Sequence, residues 1–213
     1  MPARRRGHAS RKHMAHSLPD LLREIRACRA CEPELPLGAR PVLIADARAR
    51  ILVAGQAPGT RVHATGIPWN DASGQRLRAW LGLAPEVFYD PARLAIVPMG
   101  FCYPGTGKSG DLPPRAECRR LWHDRIFALL PRLELRIVIG QYAQAYHLAG
   151  HTRGSLTATV AAWREFAPAL YPLPHPSPRN QMWLKRNPWF AEELLPDLRA
   201  TVGRVLAEGG PRP

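Results

Sequence analysis

The sequence predicts an α/β fold: a three-layer α/β/α sandwich around a central, mostly parallel four-stranded sheet. Short, continuous apolar runs rich in β-branched residues alternate with longer stretches of helical periodicity. Runs of that kind are typical of strands covered on both faces, and strands that alternate with helices form parallel sheets. The length of 213 residues fits one domain over residues 17–208, preceded by a basic, disordered tail at 1–16.

The elements follow in order along the chain. A first helix is predicted over residues 17–31, because Ser17 suits an N-cap, Pro19 falls in the first turn and apolar residues recur at helical spacing. The predicted strands are residues 51–55, 94–98, 136–140 and 169–173. The remaining predicted helices are residues 73–83, 117–131, 141–150 and 187–209, the last interrupted or begun afresh at Pro196.

The chain is strongly basic, with 30 Lys and Arg against 17 Asp and Glu and a formal charge of +13. Five of the basic residues lie within residues 1–12. Two interpretations stay open: an arginine-rich composition without a role, or a polyanionic partner, since each phosphate contact releases counterions. No apolar run is long enough to span a membrane, and no apolar core of a secretory signal follows the basic N-terminus. We therefore expect a cytoplasmic location, in the bacterial cytosol or nucleoid.

Four cysteines, spaced as one close pair and two single residues, suggest a metal site. Cys28 and Cys31 form a Cys-x2-Cys pair, and Cys102 and Cys118 lie 16 positions apart. Four thiolates suit tetrahedral zinc or an iron–sulfur cluster. Structural zinc sites usually contribute two close pairs, so the spacing favours a 4Fe-4S cluster. The alternative is four unrelated buried thiols.

Three unusual loops follow predicted strands: residues 55–59 (GQAPG), 100–105 (GFCYPG) and 175–180 (HPSPRN). In a parallel sheet these loops meet at the edge where ligands bind. Pro176 and Pro178 fix two backbone angles of the third loop. We therefore expect this loop to be a rigid wall of a pocket.

Taken together, these motifs resemble the uracil-DNA glycosylase superfamily, especially its iron–sulfur branches. The resemblance rests on the GQAPG loop at 55–59, the segment GIPWNDASG at 66–74, the His-Pro-Ser of residues 175–177 and the cysteine spacing. It implies an enzyme that flips uracil out of single- or double-stranded DNA and hydrolyses the N-glycosidic bond, leaving an abasic site. We expect the protein to be a monomer. The resemblance also implies a structural 4Fe-4S cluster bound by Cys28, Cys31, Cys102 and Cys118.

The resemblance assigns roles in this reaction to individual residues. Trp69 takes the place of the family's usual phenylalanine and would stack on the flipped base; the alternative is a core tryptophan. His175 would donate a hydrogen bond to the uracil carbonyl; the alternative is a structural histidine. Where relatives have a catalytic glutamate this chain has Gln56, and Asp71 matches the aspartate of another branch. Asp71 could equally be the N-cap of the following helix.

Recognition of the base departs from the family pattern. Pro98 stands where relatives place an asparagine that pairs with uracil. Asn70, Asn180 or the backbone of residues 99–100 could read the base instead. The predicted substrate-binding residues are Gln56, Ala57, Trp69, Asn70 and Asn180.

The segment after the third loop is predicted to face DNA. Ser177, Arg179, Lys185 and Arg186 are the predicted DNA-binding residues, and the alternative is a solvated basic loop. The GTGKS of residues 105–109 lacks the spacing of a phosphate-binding loop, which excludes nucleotide hydrolysis. Two other functions remain open: a glycosylase for hypoxanthine or xanthine, and a DNA-binding protein that recognises uracil or abasic sites without turnover.

Overall fold

The computed structural model describes residues 17–108 and 110–207; the predicted basic tail at 1–16 lies outside the described residues. All four predicted strands form. The strands are β1 (Ile51–Ala54), β2 (Leu94–Ile96), β3 (Thr106–Gly107), β4 (Gly110–Asp111), β5 (Leu135–Ile139) and β6 (Leu170–Leu173). The central sheet has the order β2-β1-β5-β6 with every neighbouring pair parallel. A separate hairpin pairs β3 with β4.

The predicted helices also form, with shorter bounds in places. The first ends at Arg26 rather than at residue 31, and Ser17 caps it as predicted by accepting from the Asp20 N–H. Single π-helical turns interrupt two predicted helices, at Arg119–His123 and Phe190–Leu194. The α-helices are α1 (Leu18–Arg26), α2 (Thr60–Thr65), α3 (Ala72–Leu81), α4 (Pro85–Phe88), α5 (Ala116–Cys118), α6 (Asp124–Ala128), α7 (Gly140–His147), α8 (Leu156–Ala161), α9 (Gln181–Arg186) and α10 (Leu195–Ala207).

Two apolar layers cover the two faces of the sheet. Ile51 and Val53 of β1 point into a cluster with residues of α3 and α10. Leu52 and Ala54 point the other way, into a cluster with α1, α6 and α7. Since consecutive strand residues alternate between faces, a strand buried on both faces needs the unbroken apolar run seen here. The predicted three-layer architecture is therefore confirmed.

The short elements were not predicted. α2, α8, α9 and the hairpin of residues 106–111 are each six residues long or less, which is too short for an apolar period to show in the sequence. α10 begins one residue before Pro196, in agreement with the predicted restart. Within the described ranges, no helix is both long and apolar enough to cross a membrane.

Candidate active site

A cavity of about 570 Å³ opens at the carboxyl end of the sheet. Most of its lining comes from the loop after β1, the turn before α3, the β3–β4 hairpin and the loop after β6. Two of the three predicted loops, at 55–59 and 175–180, therefore form its walls. None of residues 100–105 lines it, and Pro98 does. The Met99 and Gly100 N–H groups instead donate to the Gly55 and Gln56 carbonyls, so they are not available to a base.

Trp69 lies in the wall in an uncommon backbone conformation, with φ of 56°. Its ring is tilted against that of His175, with the centroids 5.7 Å apart. Its carbonyl accepts hydrogen bonds from Arg78 Nη1 and the Tyr89 hydroxyl, both at 3.3 Å. The turn leaves no room for another side chain, since a Cβ on Gly74 would lie 1.7 Å from the Trp69 carbonyl oxygen. Trp69 is thus held in one orientation beside His175.

Asp71 is both a helix cap and a cavity residue. Its Oδ1 accepts from the Gly74 N–H at 2.8 Å, which caps α3, and the residue lines the cavity. Its Oδ2 has no hydrogen-bond partner within the part of the chain described. The two interpretations of this residue are compatible, because one carboxylate oxygen serves the helix and the other stays free for a ligand.

His175 completes this wall at the end of β6. Burial lowers the pKa of its imidazole below the usual value, while the carboxylates of Asp71 and Asp111 act in the opposite direction. The net lowering keeps the ring neutral at pH 7, with one nitrogen carrying a proton to donate. The His175 carbonyl accepts from Asn180 Nδ2 at 2.7 Å, which closes the loop on itself.

Arg76 of α3 fixes this loop from outside, a role that the sequence did not reveal. Its Nη1 donates to the Ser177 carbonyl at 3.0 Å and its Nη2 to Gln181 Oε1 at 3.3 Å. The buried Gln144 of α7 donates to the Leu173 carbonyl at 2.9 Å, at the end of β6. Asp71 therefore caps the start of α3, and Arg76, farther along the same helix, positions the His175 loop.

The predicted substrate-binding residues are only partly brought together. Gln56, Ala57, Trp69 and Asn180 line the cavity, and Asn70 does not. Gln56 Nε2 donates to the Leu112 carbonyl at 3.1 Å, and the Asn180 amide nitrogen is engaged by the His175 carbonyl. The side-chain oxygens of Gln56 and Asn180 form no hydrogen bond to described residues. They are therefore the cavity groups, among those predicted to read a base, that could accept a hydrogen bond from it.

Residues 41–199 match the family model of the uracil DNA glycosylase superfamily. The chain belongs to this superfamily. The matched region contains the cavity segments at 55–59, 66–74 and 175–180. Membership supports a DNA glycosylase acting on DNA as its substrate, and it leaves the base open. Cys102 and Cys118 fall inside the match, whereas Cys28 and Cys31 precede it.

Two of the four predicted DNA-binding residues of this superfamily member belong to the cavity lining. Ser177 and Arg179 line the cavity, and Lys185 and Arg186 are exposed in the last turn of α9. The Ser177 hydroxyl accepts from the Arg179 N–H at 3.2 Å. Arg179 reaches across to the hairpin, where its Nη1 lies 3.6 Å from the position of a Cβ on Gly110.

The four cysteines gather in one corner of the protein, although they come from distant parts of the chain. Cys31, Cys102 and Cys118 are buried and Cys28 is half-buried. Burial raises the pKa of Cys102 to about 11 and that of Cys118 to about 12, and the charges of the other cysteines act in the same direction. Among residues 17–108 and 110–207, no three His, Cys, Asp or Glu side chains are grouped so as to hold a single metal ion.

Proposed function

We propose that the protein is a DNA glycosylase that hydrolyses the N-glycosidic bond of uracil in DNA and leaves an abasic site. The observation that carries the proposal is the convergence of Trp69, Asp71 and His175 on one cavity. A flat aromatic ring, a free carboxylate oxygen and a neutral imidazole are the groups that this reaction needs. They must hold a flipped base, act on water or on the sugar, and stabilise charge on the departing base.

The proposed chemistry assigns one step to each side chain. Trp69 stacks against the flipped base. The free Oδ2 of Asp71 orients a water molecule towards C1′ and accepts its proton as the new C–O bond forms. The C1′–N1 bond breaks, and its electron pair leaves with the uracil. The His175 N–H donates to the carbonyl oxygen on which the negative charge collects. His175 donates this hydrogen bond as a neutral imidazole, so its protonation state does not change during the reaction.

Pro98 supports a second candidate base. It lines the cavity at the position where a pairing asparagine was expected, and its ring offers no side-chain hydrogen bond. A cavity rejects a wrong base when that base leaves fixed hydrogen-bond donors and acceptors of the protein unpaired. Without the asparagine the cavity has fewer such groups, so it discriminates less against other deaminated bases. Hypoxanthine and xanthine are therefore the alternative substrates.

A panel of oligonucleotides tests the choice of base. Single- and double-stranded DNA carrying one uracil, hypoxanthine or xanthine is incubated with the protein, and abasic sites are cleaved with alkali. Cleavage at uracil alone supports the proposal. Cleavage at the purine lesions supports the broader substrate range. Tight binding of uracil-containing DNA without cleavage at any base supports a recognition protein and contradicts both enzymatic proposals.

We also propose that Cys28, Cys31, Cys102 and Cys118 hold a structural 4Fe-4S cluster. Buried thiols with pKa values of about 11 and 12 become thiolates at neutral pH only when a metal takes the place of their protons. Because structural zinc sites usually contribute two close pairs of cysteines, the spacing of one close pair and two single cysteines favours a four-iron cluster. Once bound, it would cross-link the end of α1 to the segments on either side of β3 and β4, and base hydrolysis requires no redox step from it.

A further inference from the structure

A second carboxylate lies in the cavity, on an element that the sequence did not predict. Asp111 is the last residue of β4, pairs with Thr106 across the hairpin and lines the cavity. Its Oδ2 lies 3.7 Å from the position of a Cβ on Gly59, so it sits against the loop after β1. Asp111 is exposed and, within the described chain, forms no ion pair. Its charge is therefore available to a ligand.

The backbone next to Asp111 is tied to the loop that carries Gln56. The Leu112 N–H donates to the Gly105 carbonyl at 2.8 Å, and the Leu112 carbonyl accepts from Gln56 Nε2 at 3.1 Å. Only an amide can make this last bond, because a glutamate would direct a carboxylate oxygen at a carbonyl oxygen. Because residue 56 is a glutamine, the loop after β1 lacks the carboxylate that a glutamate would place there. The Gln56 amide instead binds the hairpin that carries the carboxylate of Asp111.

The two cavity carboxylates approach His175 from different elements. Asp71 comes from the turn before α3, and Asp111 comes from the hairpin. Both act on the His175 imidazole in the same direction, against the effect of burial. Arg179 lines the same cavity and brings a positive charge to it. Since Asp71 already uses Oδ1 as a cap, Asp111 adds a carboxylate with no structural duty of its own.

We infer that Asp111 is a second catalytic carboxylate, which stabilises the positive charge that develops on the deoxyribose as the glycosidic bond breaks, and that Gln56 is the residue that positions it. The inference rests on the proposed function. Asp71 takes the proton of the attacking water, and Asp111, which is exposed in the cavity lining, forms no covalent bond. It acts through its charge alone.

The test compares Asp111→Asn with wild type in single-turnover cleavage of uracil-containing single-stranded DNA and in binding to the same DNA without uracil. We expect the rate to fall about 10-fold or more, because the developing charge loses its carboxylate. We expect affinity to stay equal or to rise, since an anion near phosphates is removed. A lower rate with equal or higher affinity would not come from a structural defect. Glu86→Gln, which removes an exposed acid outside the cavity, is the matched control.

Gln56→Glu tests the positioning role. If position 56 itself supplied chemistry in the manner of the glutamate branches, Gln56→Glu would keep or raise the rate. We expect it to lower the rate, and we expect Gln56→Ala to have little further effect when added to Asp111→Asn. An active wild type with an unchanged Asp111→Asn rate would overturn the inference alone. A wild type inactive on every base would overturn the proposed function and the inference with it.

Discussion

The cavity and the cysteine corner (Cys28, Cys31, Cys102 and Cys118) both collect polar groups from distant segments, but the described chain satisfies those groups differently in the two regions. Around the cavity, the Trp69 carbonyl, Asp71 Oδ1 and the His175 carbonyl all have hydrogen-bond partners. In the corner, burial raises the pKa values of the Cys102 and Cys118 thiols, although backbone hydrogen bonds from Arg40 to Cys102 and from Phe101 to Cys118 act in the opposite direction. The cavity is thus preorganised by its own hydrogen bonds, whereas in the corner the proposed cluster would compensate for the burial of the thiols.

The largest effect is expected from a substitution in the cysteine corner. The Cys102→Ser protein should lose its bound iron and also fail to fold into a soluble form, because its remaining buried thiols lack the cluster that would compensate for their burial. Iron analysis, visible absorbance and circular dichroism of the purified protein measure this. A wild-type protein that is colourless and contains zinc would contradict the cluster, and so would a Cys102→Ser protein that keeps its iron.

The next effect removes function from the cavity without unfolding it. His175→Ala should lower the single-turnover rate of uracil release by about 10²-fold or more, because the charge on the departing base loses its donor. The melting temperature should change little, since the loop is also held by Arg76 and by the two prolines. A variant that retains the full rate would remove His175 from the mechanism.

A pair of glycine substitutions measures how tightly the cavity wall is built. Gly74→Ala should cost roughly 2–3 kcal/mol of unfolding free energy, because the new Cβ would meet the Trp69 carbonyl oxygen at 1.7 Å and displace the turn. Gly203→Ala in α10 is the matched control, since a Cβ there meets nothing within 4 Å. It should stabilise the protein by roughly 0.5–1 kcal/mol. Urea denaturation measures both, and equal effects would contradict the tight turn.

These regions also differ in how far the sequence predicts them. The strands and the loops at 55–59 and 175–180 follow from apolar runs and from local glycine and proline residues, which act over a few positions. Asp111 and Arg76 could not be found in this way. Gln56 meets Leu112 across 56 positions, and Arg76 meets Ser177 across 101. Two-residue strands carry no periodic signal, so nothing local placed Asp111 in the cavity. The roles of Trp69, Asp71 and His175 stay predictions until they are tested by substitution.

The smallest effect is expected at His147. The charged form of His175 is stabilised by Asp71 and Asp111, whereas no described carboxylate acts in this way on His147. Burial, together with the charges of His123 and Arg136, lowers the pKa of His147 to about 3. The unfolded chain binds a proton near pH 6.5 and the folded protein does not, so stability falls as the pH drops below 6.5. His147→Phe removes this loss and should stabilise the protein by on the order of 1 kcal/mol more at pH 5 than at pH 8. Urea denaturation at the two pH values measures this, and an equal change at both would contradict the buried, neutral state.

The measurement that tests the central claim most directly is the release of free uracil from a single-stranded oligonucleotide, by wild type and by Asp71→Asn under single turnover. Asparagine still caps α3, so folding and DNA binding should survive. We predict that wild type releases uracil and that Asp71→Asn does so about 10²-fold or more slowly. Equal release by both proteins would contradict the role of Asp71. Tight binding by both without any release would show that the cavity recognises the base and does not excise it.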